Sequence, residues 1–464
     1  MLDAQWIADL RAVVGEQGLV MGEKLRERKY DPFAGVIRSQ LLVRPDSTAQ
    51  VSEVMRLCYS RNQVVIPHGG LTGLVYGTSA RESDLILSME AMTRIESLDT
   101  AGRTLRVQAG VTLQRTQEEA ERAGLMFPLD LGGRATATIG GNISTNAGGM
   151  RVVRYGMMRN LVLGIEAVLA DGTVLSSLNR MLKNNSGYDL KQLFIGTEGT
   201  LGLVTRADLR LVPAPQSHGT AFVACPDFQS LIRLLGIVDS GLGGQLSAFE
   251  AMWPEYYELT TRPPAANAAL LPHGHGVYAL IESLGAHQAS DDERLEEALA
   301  RALEEGAIVD AVIAKSDTER RAMWAPREDV FQTRRDGPTH NFDISVPIPE
   351  MPAYLEKVRA ELERIVPGIR VWVFGHIADG NLHVAVSAGD RHEETFDAVE
   401  RCVYEPLREF CGAISAEHGI GLERKSHLGI SRSPAEIAVM RALKRALDPR
   451  GILNPGKVFD VQGA

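Results

Sequence analysis

A chain of 464 residues exceeds what one compact core usually serves and is expected to divide into two or three domains. Its 23% charged and 44% hydrophobic residues are those of a globular protein, and a formal net charge of −10 without clustered Lys and Arg excludes an ordinary nucleic-acid surface. No apolar run has the length of a membrane span, and Cys58, Cys225, Cys402 and Cys411 form no CxxC, which argues against a disulfide framework or an iron–sulfur cluster.

The opening MLDAQWIADLRAVVG has helical spacing and early acids and lacks the basic and apolar blocks of a signal peptide, so residues 1–37 are read as an N-terminal helical segment. The expected location is cytoplasmic, at most peripheral to the inner membrane. Ser47-Thr48-Ala49-Gln50 fits a capping box, and Val51, Val54, Met55 and Cys58 follow on one helix face. Apolar runs at 41–43 and 64–66 complete a βαβ unit that leads into PHGGLTGLVYG, residues 67–77. Two more glycine-rich segments follow, TIGGNISTNAGGMRVVRYG at 138–156 and GTEGTLGLVTR at 196–206. Glycines of this density expose successive backbone N–H groups, a surface suited to a pyrophosphate, although neither a P-loop nor a GxGxxG fingerprint is present.

At LVPAPQS, residues 211–217, breakers mark a boundary. Beyond it, strands are expected at 219–225, 276–284, 307–314, 341–347 and 369–375, and helices at 227–239, 291–305, 351–365 and 393–410. This alternation suggests an α+β sandwich. A last helix at 433–447 precedes DPRGILNPGKVF.

FGHIADGNLHVAV, residues 374–386, places His376 and His383 on either side of Asp379-Gly380, a hairpin signal that brings both imidazoles to one end. Leu382, Val384 and Val386 would face a core, and His383 and Ala385 the opposite, open face. The two histidines alone are compatible with a metal site and with an incidental hairpin. A carboxylate as third donor would complete a zinc-type set, and Glu417 in SAEHGIG can supply it, with Gly419 and Gly421 allowing Glu417 and His418 to turn into one pocket. HGHG at 273–276 is a second metal candidate, in a Pro/Gly loop.

PHGGLTGLVYG, TIGGNISTNAGGMRVVRYG, GTEGTLGLVTR, FGHIADGNLH, AEHGIG and LNPGKVF resemble, in that order, the signature segments of the vanillyl-alcohol-oxidase (PCMH-type) flavoproteins. Within them the chain is most similar to the branch of D-2-hydroxyglutarate dehydrogenase, D-lactate dehydrogenase and the glycolate oxidase flavoprotein subunit, over about residues 38–460. The resemblance implies an α+β fold with a two-subdomain FAD-binding domain at 38–213. A ferredoxin-like substrate and metal domain at 214–425 and a C-terminal segment at 426–464 returning to the flavin would follow.

Pro67, Gly69, Gly70, Leu71, Thr72, Gly73 and Leu74 would wrap the FAD pyrophosphate. Thr138, Gly141, Asn142, Ser144, Thr145, Asn146, Gly148, Gly149 and Gly156, with Glu198, Gly202 and Val204, would line the flavin and adenine path, and Asn454 would close over the ring. FAD is expected to be non-covalent, because His68 precedes the glycine pair where the branch has a non-linking residue.

The resemblance further implies His376, His383 and Glu417 as ligands of a divalent metal, zinc in the first instance, and His418 as the base. Arg327 would bind the substrate carboxylate and Asn341 would donate a hydrogen bond. The implied reaction is oxidation of a D-2-hydroxy acid to the 2-oxo acid by hydride transfer to flavin N5. An external acceptor (electron-transfer flavoprotein, quinone or cytochrome) would take the electrons, and a homodimer is the expected assembly. Where the branch has a Lys before its Asp-containing strand this chain has His340-Asn341-Phe342-Asp343, and Ala385 stands where the branch has Asn and Phe331 where it has a hydroxyl. Each change removes a partner for a second carboxylate, so the substrate is expected to be monocarboxylic and more apolar. Two alternatives are D-2-hydroxyglutarate dehydrogenase proper and the flavoprotein subunit of a multi-component glycolate- or lactate-oxidising complex.

Overall fold

The computed structural model describes residues 3–28, 30, 35–335, 337–389 and 392–461. The chain divides into two compact units, one of Met1–Gly149, Gly156–Ala214 and Glu417–Ala464, the other of Met150–Tyr155 and Pro215–Ala416.

In the first unit Asp3 caps the helix Ala4–Val14, which buries Trp6 and Leu10. Ser47 caps the helix Thr48–Arg61, while the Gln50 side chain turns back to the Asp46 N–H at 2.9 Å instead of to Ser47. Short apolar runs form a sheet in the order Leu19–Met21, Leu41–Val43, Leu85–Ser88, Val65–His68, parallel except for its first pair, with the edge strand Leu19–Met21 half-buried and the others largely buried. A five-stranded antiparallel sheet follows, in the order Ile95–Asp99, Thr104–Gln108, Leu203–Arg210, Val162–Val168, Val174–Ser176. The C-terminal segment returns to the first sheet: Val65 N–H donates to the Ile452 carbonyl at 2.8 Å and Asn454 N–H to the Val65 carbonyl at 2.9 Å.

The second unit is built on one seven-stranded antiparallel sheet. Its order is Asp310–Ile313, Ser217–Cys225, Val277–Gly285, Leu246–Met252, Arg370–His376, Asn381–Ser387, His340–Ser345. The central strand Leu246–Met252 is absent from the sequence reading, because Ser247 and Glu250 interrupt its apolar run and helices flank it closely. The expectation of an open face at Ala385 is corrected. Helices Pro254–Thr261 and Asp317–Glu328 place Tyr256, Tyr257 and Trp324 in one core with Phe222, Trp372, Phe374 and Ala385, which is 2% exposed.

Two buried imidazoles give the fold an acid limit. His68 Nε2 donates to the Thr78 carbonyl at 3.0 Å, and burial pulls its pKa from 6.5 down to about 4; burial does the same to His340. Both are neutral when folded and take up a proton more readily when unfolded. Their contribution is therefore complete above pH 6.5 and is lost as pH falls towards 4, by up to about 3 kcal/mol for His68. His68→Asn is expected to flatten the fall of the denaturation midpoint across that window; an unchanged slope would contradict the burial argument.

Candidate functional site

The glycine-rich segments converge within the first unit. The strand Val65–His68 ends in the loop 69–77, where a Cβ on Gly70 would strike the Thr136 carbonyl. Thr138 caps the helix Ile139–Thr145 by accepting the Gly141 N–H at 3.3 Å. The third loop is tied to that helix through Glu198 N–H to the Ser144 carbonyl at 2.8 Å and Gly196 N–H to the Ile143 carbonyl at 3.0 Å. Gly199, at φ +72°, passes so close to Pro67 that a Cβ would lie 2.6 Å from its ring. Asn454 joins the first and third loops, its Nδ2 donating to the Glu198 carbonyl at 2.8 Å and the Gly77 carbonyl at 3.3 Å.

Pro67, Gly69 to Leu74, Thr138 to Asn146, Glu198 and Asn454 are thus brought together. Two buried atoms here, Asn142 Nδ2 and Asn454 Oδ1, have no hydrogen-bond partner among the described residues. Buried polar atoms are seldom left unpaired, so both mark a cradle that fits a polar, ring-bearing cofactor such as FAD. Gly202 lies against the Phe194 ring, Val204 is buried in the strand Leu203–Arg210, Gly156 follows the short helix Val152–Tyr155, and Gly148 and Gly149 lie beside Glu417.

Glu198 does more than the sequence suggested. Its carboxylate accepts the N–H groups of Ile420 at 2.7 Å and Gly421 at 2.9 Å, and so holds the AEHGIG segment in place. Burial raises its pKa in spite of those donors. Gly419 and Gly421 take positive φ, and Arg424, buried, places Nη2 3.5 Å from His418 Nδ1. Glu417 accepts the N–H of Gly149.

The second unit carries the histidine pair. Gly380, left-handed at φ +85°, closes the hairpin, and register sets Phe374 opposite His383 and Glu250 opposite His376. The two imidazole rings lie 5.4 Å apart, nearly perpendicular. Behind His376 stands Glu250, its Oε1 2.5 Å from Nδ1; behind His383 stands Asp343, 3.9 Å from Nδ1. Asp343 is held by Asn381 Nδ2 at 2.9 Å.

Arg327, in the last turn of Asp317–Glu328, is buried, donates Nε to Glu250 Oε2 at 2.7 Å and lies over the Phe374 ring at 4.7 Å. Burial works to raise the Glu250 pKa, but the charges and hydrogen bonds of His376 and Arg327 outweigh it and hold it below the usual carboxylate value. Sequence reasoning missed Glu250; its one signal was an acid inside the apolar run LSAFEAM. Asn341 is exposed and pairs with Ala385, and Phe331 is exposed. The HGHG tract is engaged elsewhere, with His273 Nε2 2.9 Å from Thr261 Oγ1.

Residues 214–458 match the family described as FAD linked oxidases, C-terminal domain, and residues 39–177 match an FAD binding domain. The chain is 39% identical over 457 residues to the mitochondrial D-2-hydroxyglutarate dehydrogenase of Bos taurus, spanning 98% of this chain and 83% of the relative. It is 38% identical over 427 residues to D-2-hydroxyglutarate dehydrogenase of Xanthomonas citri pv. viticola, spanning 90% and 89%. Among solved structures, p-cresol methylhydroxylase with substrate bound superposes with a TM-score of 0.77 at 15% identity, covering 99% of this chain and 97% of that one. Alkyldihydroxyacetonephosphate synthase gives 0.76 at 18%, covering 98% and 85%. At these identities the structural likeness establishes a shared PCMH-type fold. No helix among the described residues is long and apolar enough to cross a membrane.

Proposed function

The chain belongs to the FAD-linked oxidases, as an FAD-dependent oxidoreductase of the D-2-hydroxyglutarate dehydrogenase family, and on that premise we propose that it oxidises a D-2-hydroxy acid with the help of a divalent metal. The observation that carries the metal reading is the pair His376 and His383, their rings 5.4 Å apart, with Glu250 hydrogen-bonded behind Nδ1 of His376. That is the arrangement by which proteins orient metal-ligating histidines, since a hydrogen bond at one ring nitrogen fixes the lone pair on the other. Glu417 is proposed as the third donor on the resemblance of its AEHGIG segment to the family's metal-ligating segment.

Bound FAD supplies a hydride acceptor and a bound divalent metal supplies Lewis acidity for an α-hydroxyl. The protein's own groups do the rest. Arg327 pairs with the substrate carboxylate, His418 receives the hydroxyl proton, and Asn341 donates a hydrogen bond to the substrate. His68 Nε2, committed to Thr78, fits a non-covalent flavin.

FAD-loaded protein with a dye acceptor and a panel of D- and L-2-hydroxy acids tests this reading; no turnover with flavin bound would overturn it. The names of the relatives favour D-2-hydroxyglutarate as a second reading, and a kcat/KM for it above those of apolar monocarboxylates would select that one. Arg327→Lys loses the guanidinium fork, and its KM is expected to rise by about tenfold or more with a smaller change in kcat, measured on the best substrate of the panel.

A further inference from the structure

Glu250 is fully buried and sits opposite His376 in the register of two neighbouring strands. Its oxygens are divided, Oε1 to His376 Nδ1 at 2.5 Å and Oε2 to Arg327 Nε at 2.7 Å. A carboxylate only accepts, so Nδ1 keeps its proton and Nε2 is the nitrogen left to offer a lone pair to a metal, giving up any proton it carries. The same carboxylate holds Arg327 by its Nε edge, the one side-chain hydrogen bond that Arg327 makes among the described residues.

We propose that Glu250 is a positioning residue with two dependants: it sets the ring of His376 for a metal and the fork of Arg327 for the substrate carboxylate. Metal affinity and substrate affinity then depend on one buried group that touches neither ligand. The proposal rests on the metal reading of His376 given above.

Glu250→Gln keeps the size of the side chain but replaces one acceptor by a donor. The amide N–H₂ then faces either His376, favouring the tautomer with its lone pair on Nδ1, or Arg327, where two donors oppose each other. Zn²⁺ binding to the FAD-loaded protein is measured by competition with a chromogenic chelator, beside KM and kcat for the preferred hydroxy acid. Glu250→Gln is expected to weaken Zn²⁺ binding about 10- to 100-fold and to raise KM about tenfold, with flavin content retained.

A Zn²⁺ affinity and KM unchanged by Glu250→Gln, when His376→Gln lowers that affinity, would overturn the role of Glu250 and leave the metal reading intact. No Zn²⁺ bound by the wild-type protein would overturn both. Should Glu250→Gln lose its flavin, Glu250→Asp carries the comparison, since it keeps the charge but withdraws it by one methylene; wild-type affinity and KM in that variant would overturn the proposal.

Discussion

His383→Gln is expected to lower turnover of the preferred D-2-hydroxy acid by about a thousandfold while the flavin stays bound. A Lewis acid at a reacting hydroxyl contributes several kcal/mol of transition-state stabilisation, and each factor of ten corresponds to about 1.4 kcal/mol. The side chain is 15% exposed and its ring packs 5.0 Å from Phe374, a contact that Gln largely preserves, so loss of fold is not the expected cause. The flavin cradle is assembled from residues of the other unit, which makes flavin retention an internal control. The check is anaerobic flavin bleaching after mixing with substrate. In the wild-type protein, chelation is expected to slow bleaching and added Zn²⁺ to restore it; in the variant Zn²⁺ is expected to restore nothing. Bleaching at the wild-type rate in His383→Gln would remove the metal from the reaction.

What could be read in the sequence, and what could not, divides by the range of the contacts. The Asp379-Gly380 turn, the facing histidines and the glycine loops announce themselves locally, because a left-handed residue or a close backbone approach leaves a glycine behind. Glu250 reaches His376 across 126 residues and Glu198 reaches Gly421 across 223. Periodicity carries no information on which strand lies beside which, so Glu250 was invisible, and Glu198 was read as a cofactor residue with no sign that it braces Ile420 and Gly421. Ala385 shows the same limit: alternation assigned its face correctly but could not say that two helices cover it.

Lys444→Met is expected to cost the first unit about 3 to 5 kcal/mol, the usual penalty for removing one partner of a buried ion pair. Lys444 is 3% exposed, and its three donors are all used: Asp448 at 2.5 Å, the Leu453 carbonyl at 2.6 Å and the Thr200 carbonyl at 2.7 Å. Burial lowers its pKa, with Asp448 opposing the shift. Asp448 in turn accepts the N–H groups of Ile452 at 3.0 Å and Leu453 at 2.8 Å, so one ion pair fixes the turn that lays Asn454 beside Glu198 and Gly77. Methionine fills the space of the stem but leaves a buried carboxylate and two carbonyls short of a donor. Denaturant titration followed by flavin fluorescence should show release at a clearly lower midpoint. Lys315→Met, which removes an exposed pair with Glu296, should leave the midpoint in place. Equal midpoints for the two variants would show that Lys444 holds nothing the rest of the fold does not already hold.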